Sequence, residues 1–341
     1  MSLAVAIVGL GYFSQFHQDA WSRCPEARVI GITDNNPARV AEAAKRFPQA
    51  RTFNNIEAML DAEKPDCVDI VTPENTHLGL VRAVAERGIR AAICQKPLAP
   101  GWDEAVAAVE TAERAGTQLI IHENFRFMPW FREAKRLVDN GQVGTPLHVT
   151  FMLRPGDGQG PNAYLARQPY FRAMPRFLIH ETGIHLIDVF RYLLGDIAGV
   201  FARLRRINPV ITGEDAGIVI LEFVSGATGI FDGNRLTDHP SNDTRMTNGI
   251  MFLEGTGGRI RLDGFGRLFL KPHGGEETEH SYFWETRGFG GDCVYLQTRH
   301  IVEHLVKATP VVNEGRAYLR NCAIEEAIYR SAMENRFLAC P

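Results

Sequence analysis

The chain has 341 residues, 45% hydrophobic and 23% charged, with a formal charge of -3 at pH 7. This ordinary balance excludes a disordered chain, a collagen-like repeat and a helical membrane bundle, and it offers no basic excess for nucleic acid or anionic lipid. The length suits about two domains, and the expected partner is a small molecule, with no nucleic acid and no membrane.

Apolar runs of strand length, rich in β-branched residues, occur at 4–8, 29–33, 68–71, 91–94 and 119–121. Between them apolar residues recur three or four apart at 13–23, 37–46, 76–87 and 103–115, with Pro37 and Asp103 where helices start well. Such alternation predicts a parallel sheet with helices on both faces. The pattern changes after about residue 122. A helix over 129–140 leads to a strand over 147–154, a loop rich in Gly, Pro and Arg over 155–176, and a helix over 181–194. Strands follow near 200–207, 216–223, 228–233, 251–254, 259–262 and 267–270, several joined by glycine turns, and helices over 292–307 and 315–335 close the chain. This half reads as an open, largely antiparallel sheet with helices on one face. The predicted fold class is α/β plus α+β, with a nucleotide-binding domain over 1–123 and a substrate-binding and oligomerisation domain over 124–341.

The six cysteines form no C-x-x-C pair, which fits reduced thiols in a cytoplasmic protein and argues against a disulfide frame or zinc site. No metal is expected. The first apolar run, 3–10, is short and lacks a basic leader, so no signal peptide is expected.

Gly9-Leu10-Gly11-Tyr12-Phe13-Ser14 follows the first strand and opens the first helix. A chain with 32 glycines contains about three Gly-x-Gly pairs by chance, so context carries the motif. The first glycine permits a tight turn, the second lets a pyrophosphate approach the backbone, and the helix N-terminus offers free N–H groups. Ser14 replaces a third glycine, still allows close packing, and could reach a phosphate oxygen. Asp34 ends the second strand, where a carboxylate accepts from ribose hydroxyls and repels a 2′-phosphate, favouring NAD over NADP. Arg39 nearby tempers that preference.

Three more segments lie at the carboxyl ends of predicted parallel strands, where open α/β sheets bind ligands: Thr72-Pro73-Glu74-Asn75-Thr76-His77, Gln95-Lys96-Pro97 and His122-Glu123-Asn124-Phe125-Arg126. With Glu181-Thr182-Gly183-Ile184-His185, they make nearly the whole chain resemble the glucose-fructose oxidoreductase / inositol dehydrogenase / MocA family. The resemblance implies a Rossmann domain, an open-sheet domain with catalysis at the junction, and oxidation of a sugar or cyclitol hydroxyl with NAD(P). It carries the family's Glu-Lys-Pro lysine onto Lys96, its carboxylate-x-x-x-His pair onto Glu181 and His185, and a cis bond onto Lys96-Pro97. Gln95 stands where Glu is usual, and Glu181 where Asp is commoner. The segments around Lys96 and Asn124 look most like the branch containing D-apiose and related aldose dehydrogenases.

Oxidising an alcohol needs a base, a donor for the developing alkoxide and a hydride acceptor. His185 suits the first task because an unperturbed imidazole titrates near pH 6.5, with Glu181 orienting it or sharing the load; Lys96 suits the second. Which of Lys96 and His185 takes the proton stays open. His180 and His185 are spaced wrongly for a zinc protease. Cofactor contacts are expected from Gly9, Gly11, Tyr12, Phe13, Asp34, Arg39, Thr72, Pro73, Asn75, His77, Gln95, Lys96 and Asn124. Substrate contacts are expected from Lys96, Arg126, Arg154, Tyr164, Arg176, His180 and His185. Asn75 and Thr76 suit a helix cap nearly as well, and the loop residues equally suit a surface or an interface. Two other readings are NAD-assisted elimination of a glycosidic substituent and a nonenzymatic NAD-binding regulator; an intact Lys96, Glu181 and His185 set argues against the second. The uncovered face of the second sheet predicts a homodimer or homotetramer.

Overall fold

The computed structural model describes residues 2–340. It divides the chain into two compact units: residues up to Asn124 together with Val294–Cys322, and Phe125–Cys293 together with residues from Ala323 onward.

The first unit runs β1 (Leu3–Val8), α1 (Ser14–Ser22), β2 (Ala27–Thr33), α2 (Pro37–Arg46), β3 (Arg51–Phe53), α3 (Ile56–Glu63), β4 (Cys67–Ile70), a 3₁₀ turn (Glu74–Thr76), α4 (His77–Glu86), β5 (Ala91–Gln95), α5 (Trp102–Ala115) and β6 (Gln118–His122). The strands form one sheet in the order β3-β2-β1-β4-β5-β6, parallel throughout. The order reverses beside β1, which puts a switch point at the carboxyl end of that strand, where such sheets hold dinucleotides. The cause is visible in the sequence: β1, β4 and β5 are buried nearly throughout, as strands covered on both faces must be. β3 and α3 are additions to the sequence reading. β3 has three residues and buries none of them fully, too short to show a period of two.

The second unit continues with α6 (Pro129–Asp139), β7 (Pro146–Leu153), a π-helix (Leu178–Gly183), α7 (Ile184–Leu194), β8 (Ile197–Arg205), β9 (Ala216–Phe223), β10 (Thr228–Asn234), β11 (Gly249–Gly255), β12 (Gly258–Leu262), β13 (Leu268–Pro272) and β14 (Thr278–His280). Then come α8 (Cys293–Lys307), α9 (Gly315–Glu334) and β15 (Leu338–Ala339). Nine strands form a sheet in the order β14-β13-β12-β11-β7-β10-β9-β8-β15. Among the described residues of this sheet, only β7 and β10 pair in parallel. Side chains alternate along β9: Val219, Leu221 and Phe223 are buried, whereas Ile218, Ile220 and Glu222 point outward. Leu186, Ile187 and Phe190 of α7 share a small apolar cavity with Val219, Leu221 and Phe231, so this helix covers the inner face.

Two differences from the sequence reading concern the site. The helix expected over 181–194 starts earlier, as the π-helix. The segment 294–322, expected in the second domain, packs into the first unit. Ile301, Val302 and Leu305 of α8 enter the core with Val5, Ile7 and Ile93. Asn313 and Glu314 pair with Ile121 and Ile120 along the edge of β6, covering backbone groups that an edge strand would expose.

Candidate active site

The two glycines after β1 answer different needs. Gly9 has φ +90°, and a Cβ there would stand 2.5 Å from the Val71 carbonyl oxygen and 2.6 Å from Thr72 Cγ2. At Gly11 a Cβ would meet only Arg39 Nη1, at 3.9 Å. The backbone at Gly11 is therefore bare toward open space, beside a helix start that no side chain caps, which fits a pyrophosphate. Tyr12 is exposed and Phe13 half-buried along this turn. Ser14 turns inward instead: its buried Oγ donates to the Gly11 carbonyl at 2.9 Å and accepts from Gln18 at 2.9 Å. Asp34 accepts from the Leu10 N–H at 2.6 Å and the Asn36 N–H at 2.7 Å, with Arg39 at 3.8 Å. Each carboxylate oxygen keeps a lone pair for a ribose hydroxyl.

At the end of β4, Thr72 and Thr76 join through their hydroxyls at 2.7 Å, while Pro73 and Asn75 are exposed. His77 is buried. Its Nδ1 lies 3.0 Å from the Leu98 carbonyl oxygen and its Nε2 2.9 Å from that of Thr72, so the ring ties this turn to the one after β5. Burial holds its pKa below the ordinary histidine value, against the pull of the two carbonyls. The Lys96-Pro97 bond is cis and Lys96 is half-buried. Gln95 is turned inward, its Oε1 accepting from the Lys96 backbone N–H at 2.7 Å and its Nε2 lying 3.0 Å from His17 Nε2. After β6, Asn124 is buried, and Glu123 accepts from the Tyr318 hydroxyl at 3.1 Å.

In the second unit several candidates for substrate contact pair with neighbours. Arg126 makes a two-pronged ion pair with buried Asp188 at 2.5 and 2.6 Å. Arg154 pairs with Asp232 at 2.6 Å, tying β7 to β10. Arg176 pairs with Glu326 and lies over the Tyr329 ring. His180 Nδ1 meets Glu325 Oε1 at 2.6 Å. Tyr164 is buried against Phe171 and Phe177, at φ +70°, a conformation costly for an aromatic residue. Burial also pushes its hydroxyl pKa up. Polar groups withdrawn from water need partners, and carboxylates supply them to Arg126, Arg154, Arg176 and His180.

Glu181 accepts from Thr182 Oγ1 at 2.5 Å and from Arg235 at 3.3 Å. His185 lies at the start of α7, its ring stacked on Phe125 with centroids 3.8 Å apart and planes 5° apart. Arg235 is missing from the sequence reading. It is buried, grips Asp157 of the loop at 2.6 and 3.1 Å, and donates to Thr182 at 2.7 Å. Burial opposes its charge, but the Asp157 and Glu181 carboxylates more than offset this and hold its pKa up. A signal existed: Arg235 continues the inward parity of Phe231 and Gly233 in β10. His17 and Asp69 are also absent from the expected site. One sits on the apolar face of α1, the other interrupts an apolar strand.

Comparison with known proteins identifies the family and the fold. Residues 3–123 match the model of an oxidoreductase family with an NAD-binding Rossmann fold, and residues 131–261 match the GFO/IDH/MocA C-terminal domain. The chain is 33% identical to a D-apiose dehydrogenase of Paraburkholderia graminis, over 97% of this chain and 88% of that protein. A D-apiose dehydrogenase of Rhizobium rhizogenes is 31% identical, over 97% and 95%. An oxidoreductase from Agrobacterium radiobacter, solved with NAD+, L-tartaric acid and magnesium, superposes with a TM-score of 0.90 at 30% identity, over 99% of this chain and 98% of that one. The chain belongs to the NAD-binding oxidoreductase family of glucose-fructose oxidoreductase, inositol dehydrogenase and MocA.

Proposed function

We propose that the protein is an NAD-dependent dehydrogenase of sugar or polyol CH–OH groups, acting on C1 of an aldose such as D-apiose. The observation that carries this reading is in the first unit: half-buried Lys96 ends β5 on the same sheet edge as the open glycine turn after β1. The substrate class rests on the two relatives named D-apiose dehydrogenase.

Gly9, Gly11 and the first N–H groups of α1 would hold the pyrophosphate, and Asp34 the adenosine ribose. Tyr12, Phe13, Thr72, Pro73 and Asn75 border the cofactor, and His77 keeps its turn in place. Bound NAD supplies the hydride acceptor. The Lys96 ammonium donates to the reacting oxygen and stabilises alkoxide charge as it develops. In the second unit His185, its ring plane held by Phe125, is the base that the family resemblance offers for the hydroxyl proton, alongside Lys96. Glu181, anchored by Arg235 and Thr182, stabilises the imidazolium that forms. Arg126, Arg154, Tyr164, Arg176 and His180 shape the substrate side by fixing its backbone. The six cysteines, none spaced as C-x-x-C, suit a reducing cytoplasm, and the outer face of the nine-stranded sheet suits a homodimer or homotetramer.

The test is a panel of aldoses, including apiose, and inositols, assayed with NAD and NADP. NADH appearance with an aldose is the expected result; NAD binding without turnover of any member would overturn the reading. Lys96→Ala should lower kcat by about 10²–10⁴-fold with NAD affinity largely kept, and an undiminished kcat would remove Lys96 from the chemistry.

A further inference from the structure

A buried chain of hydrogen bonds ends on the backbone of Lys96, and its direction follows from which atoms can donate. The Lys96 N–H can only donate, so the Gln95 atom 2.7 Å away is the amide oxygen. The other end of that amide is then its NH₂ group, 3.0 Å from His17 Nε2. An amide NH₂ can only donate, so His17 Nε2 is the acceptor and the ring carries its proton on Nδ1. That proton faces Asp69 Oδ2 at 2.9 Å, and the same oxygen accepts the Trp21 indole N–H at 2.6 Å. The His17–Asp69 contact is therefore a hydrogen bond from a neutral ring. All four side chains are buried, with His17 and Asp69 at 0% exposure. The His122 ring lies over His17, centroids 4.2 Å apart, and Phe13 meets its edge. Cys67 and Cys94 flank Asp69, and burial, reinforced by its charge, pushes both thiols up.

We propose that His17 and Gln95 are positioning residues: with the Asp69 carboxylate as the terminal acceptor, they form a one-directional relay through a neutral imidazole that holds the Lys96 turn. The departure from Glu at position 95 is then part of the design of this chain. A carboxylate at 95 has no proton to offer an imidazole lone pair, so Gln is the residue that completes the relay without an added proton. The inference rests on the role proposed for Lys96, but its first test does not.

Two-bond ¹H–¹⁵N correlation spectra of ¹⁵N-labelled protein report the tautomer of His17 without any substrate. The expected wild-type pattern has Nδ1 protonated and Nε2 an acceptor; a protonated Nε2 would overturn the relay, whatever the substrate proves to be. In Gln95→Glu the new carboxylate still accepts the Lys96 N–H, so the turn can form, but for His17 to donate to both this carboxylate and Asp69 its ring must take one proton from solvent. The variant should show that proton in the His17 pattern, and its kcat should fall about tenfold or more as pH rises and the proton leaves, a limb tied to His17 that the wild type lacks. An unaltered His17 pattern or a wild-type pH profile in this variant would overturn the inference. Trp21→Phe, which shortens the relay without altering its polarity at His17, should leave the His17 tautomer unchanged; a switched tautomer would contradict the assignment.

Discussion

Gly9 and Gly11 stand two positions apart and respond to different constraints. Alanine at Gly9 would need a left-handed φ and would collide with the Val71 carbonyl, so Gly9→Ala should cost about 1–3 kcal/mol of stability and lower the melting temperature. Alanine at Gly11 meets open space. Gly11→Ala should therefore melt within a degree or two of wild type while weakening NAD binding about tenfold or more, since its methyl enters the region where the backbone must be bare. Thermal melts and NAD titrations of the two variants separate the effects, and equal loss of stability in both would refute the distinction. Other residues show how far residue-level reading reaches. Asp69 lies inside an apolar strand, His17 on the inner face of α1, and Arg235 at inward parity beyond β10. Each is a polar group where water is absent, which is a visible anomaly. Their partners lie 52, 78 and 54 residues away in sequence, so what each anomaly is for could not be seen.

At the scale of elements, the segment bearing Glu181 is the informative departure. Spacing alone predicts an α-helix from 181, but residues 178–183 wind as a π-helix, a form frequent at functional sites. Its first turn has specific partners. Glu214 accepts from the Phe177 N–H at 3.2 Å and the Ile179 N–H at 3.1 Å, and the Tyr329 hydroxyl donates to Glu214 at 2.6 Å while accepting the His180 N–H at 3.2 Å. Helix starts leave N–H groups without internal partners, and here a buried carboxylate and a phenol satisfy them. Tyr329→Phe removes one hydroxyl from this cap and should lower stability by about 1–2 kcal/mol in urea unfolding; an unchanged midpoint would show that the cap contributes nothing. Long, periodic elements were legible, as α2 and β9 show by matching their expected spans. Short ones were not: β3, β14 and β15 have three, three and two residues and owe their form to neighbouring strands.

At the scale of the molecule, the nine-stranded sheet leaves Ile218 and Ile220 outward on β9, 50% and 41% exposed. Ile230 on β10 and Phe201 on β8, both half-buried, stand directly across from Ile220 on the two flanking strands. Adjacent apolar side chains left exposed or half-buried on one face of the sheet support the proposed assembly through this face. Ile220→Glu should shift the protein to monomer in sedimentation velocity without loss of secondary structure, and an unchanged assembly would place the interface elsewhere.

By itself the sequence determined the class of both sheets, the glycine turn, the acid at the end of β2 and the family resemblance, because hydrophobic period and motif context are carried by residues close together in the chain. Tertiary structure alone decided three things. It put 294–322 into the first unit, turned Gln95 away from the surface and onto His17, and engaged Arg126, Arg154, Arg176 and Arg235 with carboxylates 62, 78, 150 and 78 positions away. The reason is physical: a buried polar group must find a partner wherever the fold brings one, and no local pattern encodes which one that will be.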